Sequence, residues 1–158
     1  MISDRLSRML IEQIGSELHA HQFYVSVATY FDRQSLKGWA KLFHDQAVEE
    51  AGHAKKIMDF LIDNEVDFDI PALKTTSTHF ASAAAAVEAA LDAERSVTKQ
   101  FSDMAAAALE EGDHRSHQFV QWFIEEQVEE ERMAQSLLDL VNSGINLFQA
   151  EQLLDHSE

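Results

Sequence analysis

The chain has 158 residues, 46% of them hydrophobic, enough for one compact domain with a sizeable core and too few for two. It contains no cysteine, which excludes disulfides, zinc ribbons, iron–sulfur clusters and a thiol nucleophile. With 28 acidic residues against 12 Lys and Arg, the formal charge of −16 repels nucleic acid and anionic membranes and gathers cations.

The opening "MISDRLSRML" lacks the apolar run of a signal peptide, and no stretch reaches the length needed to span a bilayer. The expectation is a soluble, cytoplasmic protein with residues 1–158 in a single domain. Only five Gly and one Pro interrupt the chain, and the Ala-, Leu-, Glu- and Gln-rich segments between them favour helix. The first predicted helix runs from about Ser3 to Arg33, with Leu6, Leu10, Ile14, Tyr24, Ala28 and Phe31 at helical spacing. The second runs from about Leu36 to Asn64, with Leu36, Trp39, Ala40, Phe43, Ile57 and Leu61 on one face. A connection, "EVDFDIPALKTTSTHF", carries Pro71 and lacks helical periodicity, but is long enough to cross the length of a bundle.

The third helix, about Ser82 to Glu111, presents Val87, Leu91, Val97, Phe101, Met104 and Ala108, with Gly112 as its C-terminal cap. Asp113 caps the fourth, which runs to about Asn142 with Phe119, Phe123, Ala134, Leu137 and Val141 inward. After Gly144, Asn146 and Gln149 form a capping-box variant at the start of a short amphipathic helix, about residues 146–156. Short links make two antiparallel hairpins and the long link makes one crossover, so the fold class is all-α, a four-helix bundle over about residues 3–142. Gly15 and Gly52 fall within helices, at roughly 1 kcal/mol each, for no reason the sequence supplies.

Each apolar stripe is broken by polar residues near its middle: Glu17 on the first helix, Glu50 and His53 on the second, Glu94 on the third, Gln127 and Glu130 on the fourth. The spacings repeat. Glu17 to Glu50 and Glu94 to Gln127 are both 33 residues; Glu17 to His53 and Glu94 to Glu130 are both 36; the two halves are offset by 77 throughout. Glu49 and Glu126 obey the same offset. Glu17 and His53 are centred on the turn at Ser35, and Glu94 and Glu130 on the turn at Gly112, so all four helices offer polar groups at one height.

Taken singly, Glu17 or Glu94 reads as a boundary residue reaching for water, His53 as a core histidine with a backbone partner, and "EEQVEEER" as a solvated face. Together they would cost several kcal/mol per buried charge unless compensated. Two divalent cations would neutralise four glutamates, and a donor set rich in oxygen with one imidazole suits iron or manganese. Tyr24, two turns from Glu17, serves packing and can also bond a ligand carboxylate or donate an electron. His114 and His117, at the start of the fourth helix, are candidates for lining a pore.

These residues resemble the bacterial non-haem ferritins, and the likeness covers essentially the whole chain. It is carried by "EQIGSELHAHQFY", "QAVEEAGHAKK", "DAERSVT", "FVQWFIEEQVEEE" and the short fifth helix. The resemblance implies that Glu17, Glu50 and His53 hold one iron, and that Glu94, Glu130 and the shared Glu50 hold a second, with Gln127 close by. It implies a third iron site at Glu49, Glu126 and Glu129 with Glu130. Bacterioferritins repeat E-x-x-H on the fourth helix and place a haem-ligating Met before the second-helix His; the equivalents here are Gln127 with Glu130, and Gly52, so haem is not expected. By resemblance, the activity is ferroxidase, oxidising Fe(II) with O2 or H2O2, and the assembly a hollow shell of 24 identical subunits storing a ferric mineral. The competing readings are a di-iron peroxidase that stores nothing and a non-catalytic bundle buffering cations.

Overall fold

The computed structural model describes residues 1–154: α1 (Asp4–Arg33), α2 (Lys37–Asp63), α3 (Ala83–Glu110), α4 (His114–Asn142) and a one-turn α5 (Leu147–Ala150), followed by a 3₁₀ turn over Glu151–Leu153. Four of these helices begin on a side-chain cap. Ser3 accepts from the Leu6 amide, Ser82 from Ala85, Asp113 from Ser116, and Asn146 from both Phe148 and Gln149. Asp113 also accepts from the Ser3 amide at 2.9 Å, so one carboxylate caps α4 and pins the start of α1.

Helices α1, α2 and α3 end alike, with a left-handed residue just past the helix and the next amide bonding five residues back: Leu36 N–H to Phe31, Val66 to Leu61 and Asp113 to Ala108. Gly112 supplies the third left-handed position at φ 65°, as its type suggests, but Ser35 and Glu65 occupy the others at φ 60° and 58°. A side chain there costs roughly 1–2 kcal/mol, which the carbonyls capped by the turn offset.

Arg5 of α1 bonds Glu110 at the end of α3, and Arg115 at the start of α4 bonds Asn64 at the end of α2. Hence α1 and α4 run one way while α2 and α3 run the other, and the link between α2 and α3 must travel the full bundle. It does so in step with α1. Pro71 lies against Gly15, Gln22 donates to the Lys74 carbonyl, Ser26 bonds Thr76, and Arg33 bonds Thr78. Gly15 is thereby explained: a Cβ there would sit 3.1 Å from the Pro71 side chain, whereas Gly52 faces open space. Among the described residues, no helix is long and apolar enough to cross a membrane.

At the far end, Trp39 Nε1 donates to the Leu147 carbonyl and Glu151 accepts from the Gly38 amide at the start of α2. The fifth helix is therefore shorter than the periodicity predicts. Glu151 turns back to place its carboxylate against the first turn of α2, where the helix dipole favours it, and the chain is extended at Leu154. The remainder of the predicted helix, residues 155 and 156, lies outside the described residues.

The core is in two parts. One apolar cluster gathers Tyr24, Phe31, Trp39, Phe43 and Val87 toward the α5 end; the other gathers Leu6, Leu10, Ile57, Phe101 and Phe123 toward the opposite end. Between them lies a layer of buried polar side chains.

Candidate metal centre

That layer contains Glu17, Glu50, His53, Glu94, Gln127 and Glu130, every one of them buried. The residues that break the apolar stripes therefore meet, as their shared height required. Glu17 is fully shielded, and its Oε2 has no hydrogen-bond partner among the described residues. His53 Nδ1 lies 3.2 Å from Glu50 Oε2 and 3.7 Å from Glu17 Oε2. Tyr24 donates its hydroxyl to Glu94 Oε1 at 2.5 Å, and Gln127 Nε2 donates to Glu94 Oε2 at 3.0 Å.

Among the described residues, three groups have ligand atoms within 4.8 Å of one another: Glu17, Glu50 and His53; Glu50, Glu94 and Glu130; and His53, Glu126 and Glu130. Glu50 belongs to the first two, so two three-donor groups share one carboxylate. Glu49 is exposed, and its carboxyl is raised by partial burial and by the neighbouring Glu50 and Glu126. Glu129 is exposed and turns outward to Arg132 at 3.4 Å. Of the residues expected at a third site, Glu126 and Glu130 have ligand atoms near His53, while Glu49 and Glu129 are exposed. His114 is exposed, and His117 lies 3.4 Å from the Gln121 amide nitrogen.

Crowding and dryness dominate the electrostatics. Burial pushes the Glu130 carboxyl up to about 9, with Glu94 and Glu50 adding to the rise. Burial also lifts Glu94 to about 7, reinforced by Glu50, and raises Glu50 itself. For His53, burial opposes the charge, but the Glu17 and Glu50 carboxylates beside it overcome that and carry the imidazole to about 10. Burial and the neighbouring Glu94 hold the Tyr24 hydroxyl protonated well above its ordinary range. Without a cation the layer is thus held together by protons. The orphaned Glu17 oxygen and the glutamate-rich donor set with one imidazole fit divalent cations of the iron or manganese type, which would displace those protons.

Several residues of the layer escape a reading of charge alone. Gln13 donates to Glu17 Oε1 at 3.2 Å, and Gln46 donates to Glu50 Oε1 at 3.0 Å and Glu130 Oε2 at 2.6 Å. Each Gln stands four residues before its Glu, and the two pairs are 33 residues apart, as Glu17 and Glu50 are; that is the signal that could have found them. The Trp122 ring meets His53 edge-on at 5.6 Å, and the Lys56 ammonium stands 3.7 Å over the same ring.

Comparison with known proteins agrees with this geometry. A family model described as a ferritin-like domain matches residues 8–143. The chain is 38% identical over 154 residues to Ferritin BfrB of Mycolicibacterium smegmatis, covering 97% of this chain and 85% of that protein. It is 33% identical over 139 residues to the bacterial non-heme ferritin of Staphylococcus epidermidis RP62A, covering 88% and 84%. Among solved structures, an open pore ferritin from Archaeoglobus fulgidus superposes with a TM-score of 0.95 at 30% identity over the full length of both chains. With a bundle crossed over between α2 and α3, a buried layer of carboxylates and one imidazole, and relatives matched over nearly its whole length, the chain belongs to the ferritin family.

Proposed function

We propose that this protein is an iron-storing ferroxidase of the cytoplasm, which oxidises Fe(II) at the buried layer and keeps the product as a ferric mineral inside a hollow shell of 24 identical subunits. The observation that carries the reading is the pair of three-donor groups sharing Glu50 inside a dry core. Two Fe(II) ions enter as substrate. Glu17, Glu50 and His53 bind one; Glu50, Glu94 and Glu130 bind the other, with Gln127 orienting Glu94. Each ion gives up one electron, so that O2 and two protons yield H2O2 and two Fe(III), or H2O2 and two protons yield two waters.

Carboxylates bind the ferric state more strongly than the ferrous, so the ligand set favours oxidation. Protons released from Glu94 and Glu130 when the metals bind are available to the reduced oxygen. Tyr24, bonded to Glu94, holds that ligand and is placed to donate a further electron. Glu126, with Glu130 and His53, forms a third iron position, and acidic surface would draw Fe(II) inward.

The test is to add excess Fe(II) in air to purified protein, follow oxidation optically, and measure iron in the size-exclusion peak. Rapid oxidation with many iron atoms retained in a large particle is the expected result. Background-rate oxidation, or peroxide turnover with only a few metal ions per chain in a small oligomer, would overturn storage.

A further inference from the structure

Each of the four buried glutamates accepts a hydrogen bond from a neutral carboxamide: Glu17 from Gln13, Glu94 from Gln127, and both Glu50 and Glu130 from Gln46. Gln46 alone spans two ligands, and they lie on different helices, α2 and α4. On the two-metal reading above, we propose that Gln46 is a positioning residue whose amide clamps the shared ligand Glu50 to Glu130 and sets the opening between them that the second metal occupies.

The orientation of that amide is fixed once metals bind and both carboxylates are ionised. With Nε2 toward the layer it donates one hydrogen to each carboxylate, at 3.0 and 2.6 Å; turned over, it would set a carbonyl oxygen against two acceptors. Both bonds are assisted by the carboxylates' charge once metals bind, which makes them stronger and shorter than neutral ones. A carboxylate oxygen has more than one lone-pair site, so an oxygen held by Gln46 still has a lone pair for a metal. Gln46 is itself buried, and its stem packs one turn from Glu50, so little side-chain freedom remains to be lost on loading. Glu50 is held a second time by His53, whereas among the described residues Gln46 is the only carboxamide donating to Glu130. Loss of the clamp therefore acts chiefly on the all-carboxylate group of Glu50, Glu94 and Glu130.

The test uses Co2+ as a redox-inert probe, read by calorimetry and by its visible absorption, on the assembled protein. Wild type is expected to take up two ions at the buried layer. In Gln46→Met, which keeps the volume and removes the donors, the second ion is expected to bind about 10- to 100-fold more weakly while the first stays within about twofold. Gln13→Met should show the reverse, weakening the ion at Glu17. Gln46→Asn keeps an amide too short to reach both carboxylates and should repeat the second-ion defect, which decides the matter if Gln46→Met does not fold. Wild-type binding of both ions in either Gln46 variant would overturn the clamp, as would equal weakening of both ions with a lowered melting temperature. Fewer than two ions in wild type would overturn the two-metal reading, and the clamp with it.

Discussion

Replacing Glu130 by Gln should make the metal-free protein more stable, by an amount that grows with pH. The folded chain holds Glu130 protonated up to about 9 because it is buried among Glu94, Glu50 and Glu49, while in the unfolded chain it ionises at its ordinary 4.5. A raised carboxyl makes the folded state bind the proton that the unfolded state releases, so its contribution to stability is intact below 4.5 and is lost as pH rises toward 9. At about 1.4 kcal/mol per unit, the lost stability is about 1 kcal/mol at pH 5 and about 3 kcal/mol at pH 7. Glutamine keeps the shape and an oxygen for Gln46 but cannot ionise in either state. Denaturant midpoints of wild type and Glu130→Gln, measured in chelator from pH 4.5 to 8, should coincide at the acid end and diverge above it, with the variant the more stable. A variant less stable than wild type throughout, or a gap that does not change with pH, would refute the reasoning. Adding Co2+ should favour wild type, because the variant has lost a ligand.

Glu50→Ala removes the carboxylate common to both three-donor groups and should slow the fast phase of Fe(II) oxidation at least about 100-fold, since the remaining ligands no longer hold two ions together; a near-normal initial rate in stopped flow would reassign the site. Changing Glu49, Glu126 and Glu129 together should alter the iron-to-oxygen stoichiometry and slow later turnovers while preserving the fast first phase, and total loss of oxidation would place them in the main centre. Gly52→Ala should raise the melting temperature, because its site is open and alanine is favoured by about 1 kcal/mol in a helix; Gly15→Ala should gain less or lose, because its new methyl meets Pro71 at 3.1 Å.

The long helices and their ends were legible because Gly112, Gly144 and Asp113 punctuate them with ordinary chemistry. The turns after α1 and α2 were legible only as short links, since Ser35 and Glu65 reach left-handed geometry without the residue that signals it. The candidate metal ligands stood out because charge on an apolar stripe demands compensation, and the regular spacings set them at one level. Gln13 and Gln46 carry no charge, so only their spacing, four residues before Glu17 and Glu50 and 33 apart, marked them before their partners were in view. Glu129 shows the converse ambiguity. In a run of consecutive acids on α4 the backbone turns about 100° per residue, so Glu130 points into the layer while Glu129 swings out to Arg132. Which acids of that run face inward depends on the roll of the helix, set by distant packing.

The crossover between α2 and α3 has a consequence beyond connectivity. The hairpin α1–α2 and the hairpin α3–α4 point in opposite directions and carry matching positions 77 residues apart, the arrangement a twofold axis across the bundle would produce. Two separate copies of one hairpin would be bound to that symmetry and could build only a centre with identical halves. Joining them in one chain, along the groove where Pro71 rides on Gly15, frees each half to change alone. The exchange of His53 for Glu130 and of Glu50 for Gln127 is that freedom in use: one candidate donor group with nitrogen and one without.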